Sequence, residues 1–254
     1  IGAYDISNTS NIQEVDRIQS NPGTNSAPHN THVDGNFLVT SWYRDGTTVH
    51  DITYPNNMIQ VAYYDSYSGS GAGFDGCWGT YPFLPSGNII SSDINSSSNQ
   101  NGRLLVYRRD FQQACYLNGN ITDAQSGAFL NAANVEILNT SVSNFTSSNL
   151  TGDYLSGTTS SGTYDVVFSK AGYLSDTVSA TLSNGVLTTI NMSLQPLVAF
   201  NISGLVLDVS SNGIANSDVV IYNNDFSFTT TTDINGNFNI NGIYEGYYEI
   251  IAGK

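Results

Sequence analysis

The tightest cluster of metal-type ligands in the sequence is His29-x-x-His32-x-Asp34. Imidazole nitrogens and carboxylate oxygens bind zinc when several of them converge on one point. On an extended strand, residues at positions i, i+3 and i+5 do not share a face, so a loop would have to bring these three together. No further ligand that would close the site is evident. Two interpretations stay open: a weak metal site, or loop imidazoles that hydrogen-bond to neighbouring backbone.

A second pattern resembles the start of a calcium-binding loop. Asp233, Asn235 and Asn237 alternate as calcium ligands do, but Gly236 comes two positions too early and no glutamate stands at the closing position. An Asn-Gly turn between two strands explains the same residues. The corresponding residues 150–153 of an earlier repeat lose the calcium pattern and keep the turn. We therefore expect a turn here.

Two further motifs resemble parts of catalytic sites. The glycine-rich stretch Ser68–Gly73 lacks the Lys-Ser/Thr pair and the following helix of a phosphate loop, and it lacks the strand–Ser–helix context of a nucleophile elbow. We interpret it as a flexible loop. The carboxylates of Asp45 and Asp51 could do acid–base chemistry. Their repetition, with Asn101 and Asp5 at the matching places, indicates turns and strand ends instead.

Several aromatic residues stand where a carbohydrate ring could stack on them. The alternative is that they fill the space between sheets, as aromatic side chains commonly do. The sequence favours this filling role and leaves carbohydrate stacking open. The residues are Trp42, Tyr43, Trp78, Tyr81 and Phe83.

Composition excludes several classes of partner. The formal net charge is −14 over 254 residues, with only 7 Lys plus Arg, so the chain offers no basic face for nucleic acid or for an anionic membrane. No stretch approaches the roughly 20 apolar residues needed to cross a bilayer. No cofactor is predicted. The chain begins with Ile1 and carries no recognisable signal peptide, so we expect that a leader or an upstream region precedes it.

Cys77 and Cys115 are the only cysteines. In a lysine-poor β protein outside the cell they could form one disulfide; two buried free thiols are the alternative. If they are bonded, the disulfide would join the region around Trp78 to the first strand of the following domain. We predict this disulfide while keeping the free thiols open.

An internal repeat with a spacing of 84 residues fills the C-terminal part. Matched elements of short alternating strands are typical of tandem β-sandwich modules. The second copy ends at Lys254, where the first runs on through two more strand-like segments, so we expect the second sandwich to be incomplete. The matched pairs are Gly152-Asp153-Tyr154 with Gly236-Asn237-Phe238, Gly162-Thr163-Tyr164 with Gly246-Tyr247-Tyr248, and Lys170 with Lys254.

Residues 1–111 carry a different and weaker repeat. His50-Asp51-Ile52-Thr53 echoes Tyr4-Asp5-Ile6-Ser7 46 residues earlier, which assigns His50 a structural strand position. Apolar residues alternate between clusters of Gly, Asn, Asp and Ser, and helical periodicity is almost absent, so the fold class is all-β. A period in the upper forties with two or more strands per unit is typical of β-propeller blades.

The N-terminal motifs resemble a known family. The segment Asp34–Gly46, then His50-Asp51-Ile52, and the stretch Trp78–Asp93 are similar to LVIVD-repeat β-propellers, and in particular to secreted proteins of the choice-of-anchor B type. The resemblance covers about 110 residues and implies that residues 1–111 are the closing blades of a propeller. The chain departs from the family pattern at Asn95–Asn101, where a Ser/Asn-rich loop is inserted.

The repeated C-terminal part resembles carboxypeptidase regulatory-like domains, which are prealbumin-like seven-strand sandwiches without catalytic residues. The resemblance rests on Asn201–Val206, Ile214–Val219, Thr232–Phe238 and Gly242–Tyr248. It implies one such domain over residues 112–196 and a second, incomplete one over residues 197–254. The order of parts implies a large bacterial surface protein with upstream blades and a downstream anchor.

These resemblances imply a non-enzymatic extracellular protein that displays a propeller on stalk domains for adhesion. Metal or carbohydrate binding by the propeller, or a place beside a secreted hydrolase, is the alternative. Open blade edges predict contact with another protein or a second copy, and surface carbohydrate is a further possible partner. Asp176-Thr177-Val178 resembles the O-glycosylation sequence of bacteria with type IX secretion, which makes Thr177 a glycosylation candidate.

Overall fold

The computed structural model describes residues 1–20, 24–69, 71–94, 102–140 and 144–253. All regular secondary structure in these ranges is β-strand, which confirms the predicted all-β class. Within them no helix has the length and apolar character that a membrane crossing requires. The inserted loop Asn95–Asn101, Ser70 of the glycine-rich stretch and Lys254 of the repeat lie outside the described residues.

The chain divides into two compact units. The first contains residues 1–122, 129–168 and 176–192, and the second contains residues 123–128, 169–175 and 193–254. The first unit therefore includes the N-terminal sheets together with most of the first repeat. The second repeat lies in the second unit.

The N-terminal sheets are built from strands that pair with their neighbours in sequence. A two-stranded sheet has the order β1-β2, a four-stranded sheet the order β3-β4-β5-β6, and a three-stranded sheet the order β7-β8-β9, and all their pairs are antiparallel. Short turns suffice for such a meander. The strands are β1 (Gly2–Asp5), β2 (Gln13–Arg17), β3 (Asn30–Asp34), β4 (Phe37–Trp42), β5 (Gly46–Asp51), β6 (Ile59–Tyr64), β7 (Cys77–Tyr81), β8 (Ile89–Asp93) and β9 (Arg103–Tyr107).

The interior of these sheets is unusually polar. A small apolar cluster of Val39, Val49 and Ile89 is joined there by buried hydroxyl groups. All six residues of β5 are buried, including His50 and Asp51. The other buried polar residues of this region are Thr40, Ser41, Thr47, Thr48, Thr80, Ser91 and Asp93.

The first repeat forms two facing sheets. One has the order β13-β10-β16, with β17 also pairing with β10, and the other has the order β12-β11-β14-β15. Apolar residues at alternate positions of these strands fill the space between the sheets, among them Leu117, Ile121, Val135 and Phe168. The strands are β10 (Cys115–Asp123), β11 (Asn134–Ile137), β12 (Asn144–Ser147), β13 (Asp153–Thr158), β14 (Gly162–Ser169), β15 (Asp176–Leu182), β16 (Leu187–Thr189) and β17 (Met192–Leu194).

The second repeat has fewer strands. Its sheets have the orders β18-β21 and β20-β19-β22 and enclose a core of Val219, Ile221, Phe238, Ile240 and Ile243. The strands are β18 (Ala199–Leu205), β19 (Asp218–Tyr222), β20 (Ser227–Thr231), β21 (Asn237–Tyr244) and β22 (Glu249–Gly253).

The matched glycines of the two repeats occupy the same backbone conformation. Gly152 has φ of 77° and Gly236 has φ of 81°, a left-handed conformation that is strained for residues with a Cβ atom. Each stands immediately before a strand that returns to its sheet. The 84-residue repeat therefore reflects a turn that both copies need.

Candidate interaction surface

Half-exposed aromatic rings cluster on β7 and the segment that follows it. His29 lies against Trp78 with 4.5 Å between ring centroids, and Tyr43 meets Trp78 edge-on at 6.0 Å. The exposed ring of Phe74 meets Tyr43 at 5.1 Å. Tyr43 is buried while the other rings reach solvent, so the exposed rings of this group pack on Tyr43.

A second group of rings lies on β3, on β7 and on the segment that follows β7. His32 on β3 lies edge-on to Phe83 at 5.7 Å and to Tyr81 at 6.3 Å, and Tyr81 meets Phe83 at 5.4 Å. About half of each of the Trp78, Tyr81 and Phe83 side chains is open to solvent. We call the two groups together the aromatic surface, which consists of His29, His32, Phe74, Trp78, Tyr81 and Phe83.

Asn30 on β3 holds the aromatic surface in place. Its Oδ1 accepts hydrogen bonds from the Ser41 hydroxyl at 2.5 Å and from the Thr80 backbone N–H at 3.2 Å, and its Nδ2 lies 3.3 Å from Nε2 of His32. One amide therefore links β3, β4 and β7 and orients a histidine. Sequence reasoning missed Asn30, although its position between the two histidines was a usable signal.

The three metal candidates do not converge. His29 contacts Trp78, His32 contacts Asn30, and Asp34 forms an ion pair with Arg109. In the described part of the chain, no three His, Cys, Asp or Glu side chains are grouped so that they could hold a metal ion. Both histidines belong instead to the aromatic surface.

A shallow cleft runs beside this surface. Backbone and side chains of β3, β7, β8 and β9 line it, and its walls carry amide, imidazole and hydroxyl groups next to the Tyr81 ring. Flat rings beside hydrogen-bonding groups are the usual components of sites for ligands with one apolar face and a polar rim. The polar side chains of the cleft that reach solvent are Asn30, His32 and Ser92.

Asp51 fastens the N-terminal sheets to the first sandwich. It is fully buried at the end of β5. Its Oδ1 accepts hydrogen bonds from the N–H and hydroxyl of Thr53 at 2.9 and 2.6 Å, and its Oδ2 accepts one from the N–H of Ala114 at 2.8 Å. Gln113 donates to the same Thr53 hydroxyl. Because Ala114 directly precedes β10, this carboxylate forms a junction between the two parts.

Neighbouring contacts strengthen the junction. The Asn57 side chain donates a 2.8 Å hydrogen bond to the carbonyl of Ser156 on β13, and the rings of Tyr54 and Tyr116 meet at 4.6 Å. Burial, with Asp51 nearby, raises the pKa of the Tyr116 hydroxyl well above its usual range. Tyr116 therefore stays neutral and packs as an aromatic core residue.

Asp45 and Asp51 lie at opposite ends of β5. Asp45 accepts hydrogen bonds from the hydroxyls of Ser20 at 2.5 Å and Thr24 at 2.8 Å, whereas Asp51 serves the junction. They do not face one substrate position as a general acid and base would. The prediction that they mark turns and strand ends agrees with these contacts.

The predicted disulfide is absent, because both cysteines are buried free thiols. The sulfur of Cys77 lies 3.3 Å from the Thr47 hydroxyl in the interior of the N-terminal sheets, whereas Cys115 begins β10 opposite Thr158. The two residues belong to different sheets with different partners. Burial raises the pKa of both thiols and so reduces the reactive thiolate at neutral pH.

The calcium-like pattern is a hydrogen-bonded turn. Oδ1 of Asp233 accepts hydrogen bonds from the N–H groups of Asn235 and Asn237, both at 2.8 Å. Hydrogen bonds from the Asn237 side chain and backbone lower the pKa of Asp233. In the first repeat a neutral residue, Asn149, accepts the matching N–H bonds from Thr151 and Asp153. The turn therefore forms without a charged acceptor.

Thr177, the glycosylation candidate, lies exposed on β15. Its backbone N–H donates to the Asp176 carboxylate. Its position on the surface leaves room for a sugar, and its modification stays a prediction.

Sequence comparison supports one of the two predicted resemblances. A model of the carboxypeptidase regulatory-like domain family matches residues 116–195, which confirms this resemblance for the first sandwich. The match covers less than half of the chain. No curated protein matches the chain. The propeller interpretation of residues 1–111 stays a prediction.

Several solved structures are distantly similar to the chain. A streptococcal ancillary pilin is 13% identical with a TM-score of 0.42, covering 81% of this chain and 71% of its own. The Bacillus anthracis TIE protein is 12% identical with a TM-score of 0.32, covering 91% and 51%. The shaft pilin SpaA of Lactobacillus rhamnosus GG is 11% identical with a TM-score of 0.32, covering 56% and 86%. Likenesses this distant say nothing about function.

Proposed function

We propose that this chain is a non-enzymatic extracellular protein that presents a binding surface for adhesion or display. The aromatic surface of the N-terminal sheets makes the contact, and the sandwiches act as a stalk. The main support is that Asn30 fixes the rings on the sheets while Asp51 joins these sheets to the first sandwich. A surface whose side chains are already held by hydrogen bonds is ready to bind without further ordering, which favours affinity.

We further propose a division into three domains. Residues 1–111 would be blades of a β-propeller, residues 112–196 the first regulatory-like sandwich, and residues 197–254 an incomplete second one. Sheets of sequential antiparallel strands support the first part, and the shared strand order of the two repeats supports the last. Exposed Leu104 and Val106 on the edge strand β9 support contact with another protein or a second copy.

The proposal predicts no catalytic turnover. His32 is engaged by Asn30 and aromatic rings, and Asp45 and Asp51 accept hydrogen bonds at separate ends of one strand. A screen of the purified protein against peptidase, glycosidase and esterase substrates tests this. Hydrolysis that persists through purification and disappears in His32→Ala, Asp45→Asn or Asp51→Asn would show that the protein is an enzyme.

Carbohydrate is the ligand class that the aromatic surface favours. Sugar rings stack on flat aromatic faces, and the cleft beside Tyr81 offers amide and hydroxyl groups for sugar hydroxyls. Trp78→Ala and Tyr81→Ala should each weaken binding to polysaccharides about tenfold, the loss of one aromatic contact of roughly 1.4 kcal/mol. Immobilised cellulose, chitin, xylan and mannan serve as probes.

Phe145→Ala is the control, since Phe145 is an exposed aromatic ring on β12 of the first sandwich. It should leave binding unchanged. Equal loss in all three variants, or binding to none of the polysaccharides, would remove carbohydrate as the ligand. Protein partners would then be sought by crosslinking through β9.

We also propose secretion by a type IX system and O-glycosylation at Thr177. The support is the Asp176-Thr177-Val178 sequence on an exposed strand. Intact-mass measurement of protein expressed in a bacterium with this system should show a glycan that Thr177→Ala removes. An unchanged mass in the variant would place any glycan elsewhere.

A further inference from the structure

A pocket of about 250 Å³ opens between the sheet β3-β4-β5-β6 and the sheet β7-β8-β9. Its floor consists of the buried side chains of Val49 on β5 and Ile89 on β8, with Ala62 of β6 packed beside them. Ala62 lies opposite Val49 in one sheet, and Tyr107 of β9 lies opposite Ile89 in the other. Both sheets therefore contribute side chains to one apolar space.

Aromatic rings form the walls of the pocket. The rings of Tyr64 on β6 and Tyr107 on β9 lie 5.5 Å apart between centroids, and Phe111 meets Phe37 edge-on at 5.0 Å. Tyr64, Tyr107 and Phe111 all line the pocket. A cavity of roughly 150 Å³ is enough for one benzene molecule, so this pocket has room for one ring with a short substituent.

Tyr107 turns its ring, and not its hydroxyl group, towards the pocket. The hydroxyl group is buried, close to the hydroxyl groups of Thr47 and Ser91. Burial raises the pKa of Tyr107 to about 12, so the side chain is neutral at physiological pH. The walls are therefore uncharged, and a ligand must find its ionic contacts at the mouth.

Two exposed residues of opposite charge stand at the mouth of the pocket. They are Arg108, which directly follows β9, and Asp110. Arg109 between them is paired with Asp34 instead. Among the residues that the structure describes, neither Arg108 nor Asp110 belongs to an ion pair. A guanidinium and a carboxylate are therefore both available to a ligand.

We propose that this pocket binds a free α-amino acid whose side chain carries an apolar ring. The ring of the ligand lies between the aromatic walls, its carboxylate contacts Arg108, and its ammonium group contacts Asp110. An arginine side chain binds a carboxylate through two parallel hydrogen bonds, and charge-assisted hydrogen bonds are stronger than neutral ones. Apolar pockets with a few polar groups that fix the orientation of the ligand are the usual form of small-molecule sites.

The charge of the chain favours an amino acid over a simpler ligand. The formal net charge of −14 repels a carboxylic acid that lacks an amino group, whereas an amino acid is neutral overall. An amine without a carboxylate would leave Arg108 without a partner at the mouth. The pocket shares no residue with the aromatic surface or with the cleft beside it, so this inference does not depend on the proposed function.

Four small molecules test which parts of the ligand are recognised. In isothermal titration calorimetry with the full chain, L-phenylalanine should bind saturably at one per chain. 3-Phenylpropionate lacks the ammonium group, 2-phenylethylamine lacks the carboxylate, and L-alanine lacks the ring. We expect each of these three to bind at least tenfold more weakly than L-phenylalanine.

Variants of the chain assign each contact. Arg108→Gln should weaken binding of L-phenylalanine at least tenfold and leave binding of 2-phenylethylamine unchanged, because that ligand has no carboxylate to lose. Asp110→Asn should weaken L-phenylalanine equally and leave 3-phenylpropionate unchanged. Arg103→Gln removes an exposed arginine at the other end of β9, outside the pocket, and should change nothing.

A ring placed in the pocket itself gives the last test. Ala62→Phe should abolish binding of L-phenylalanine, and circular dichroism checks that this variant is folded. Unchanged binding in Ala62→Phe would contradict the proposal, as would equal binding of all four molecules or no saturable binding of L-phenylalanine. If Arg108→Gln weakened L-phenylalanine and 2-phenylethylamine equally, the variant would have distorted the pocket without removing a carboxylate contact, which also contradicts the proposal.

Discussion

The N-terminal sheets and the first sandwich hold their strands together by different means. In the N-terminal sheets the Thr47 hydroxyl lies 2.8 Å from that of Ser91, which lies 3.1 Å from that of Thr80. The core of the first sandwich consists instead of side chains such as Ile121, Val135 and Phe168. Apolar packing tolerates small shifts, whereas a buried hydroxyl needs a partner in one place. The buried hydroxyl groups therefore allow fewer side-chain arrangements in the N-terminal sheets than the apolar side chains allow in the first sandwich.

The apolar core should give the largest effect. Phe168→Ala removes a fully buried ring that meets Tyr154 at 5.7 Å, and we expect it to cost about 3–5 kcal/mol of unfolding free energy. Urea unfolding followed by far-UV circular dichroism measures this. Phe145→Ala on the exposed face of β12 is the control and should cost well under 1 kcal/mol.

The same variant tests the junction at Asp51. Both tryptophans, Trp42 and Trp78, lie in the N-terminal sheets, so their fluorescence reports the unfolding of that part alone. If the junction couples the two parts, Phe168→Ala should also lower the urea concentration at the midpoint of unfolding followed by tryptophan fluorescence. An unchanged fluorescence midpoint would mean that the N-terminal sheets and the sandwich unfold independently.

A buried histidine should make the N-terminal sheets sensitive to acid. Burial, with a smaller effect of the chain's amino terminus, lowers the pKa of His50 from 6.5 to about 4. The unfolded chain binds this proton below pH 6.5 while the folded chain does not until about pH 4. Stability from this group is therefore complete above pH 6.5 and falls by about 3 kcal/mol as the pH drops to 4.

Tryptophan fluorescence during urea unfolding at pH 7.5 and pH 4.5 checks this prediction. His50→Phe removes the titrating group, so the difference between the wild type and this variant isolates His50 from the carboxylates. The wild type should lose more stability than the variant on acidification. Equal losses would show that His50 takes up its proton in the folded state as readily as in the unfolded state.

The smallest expected effect is the loss of a hydrogen bond between two hydroxyl groups, compared between a buried pair and an exposed pair. Thr47→Val removes a hydroxyl shared with Ser91 and leaves that partner buried, and we expect a loss of about 1–3 kcal/mol. Thr163→Val breaks a similar pair with Thr181, at 3.1 Å on an exposed part of β14, and should cost less than about 0.5 kcal/mol. Urea unfolding followed by tryptophan fluorescence measures the loss of stability in Thr47→Val. Urea unfolding followed by circular dichroism measures it in Thr163→Val. Equal losses would show that burial of the Thr47–Ser91 pair does not increase its contribution to stability.

Local sequence patterns predicted the strands and turns because their causes are local. Alternating apolar residues indicate strands, and the repeated glycines Gly152 and Gly236 indicate turns, in agreement with their positive φ angles. The turn at Asp233 was predicted for the same reason.

The candidate site was less predictable because its contacts join distant residues. Nothing local indicates that Asp51 accepts a hydrogen bond from Ala114, or that Asn30 binds the backbone of Thr80. The rule that apolar and polar residues alternate along a strand counts serine and threonine as polar. It therefore predicts, wrongly, that Thr47 and Ser91 face solvent. The disulfide prediction rests on the number of cysteines and on a composition typical of proteins outside the cell, and neither carries information about the separation of Cys77 and Cys115.

We expect the Asp51 junction to break before the first sandwich unfolds when the chain is pulled. A pull on the segment around residue 112 reaches the bond between Asp51 and Ala114 before it reaches β10. The hydrogen bonds of β10 to β13 lie across the strand direction, so a pull along β10 loads many of them together. We expect the small junction to yield first, which lengthens the chain by a short tether and leaves the sandwich folded under tension.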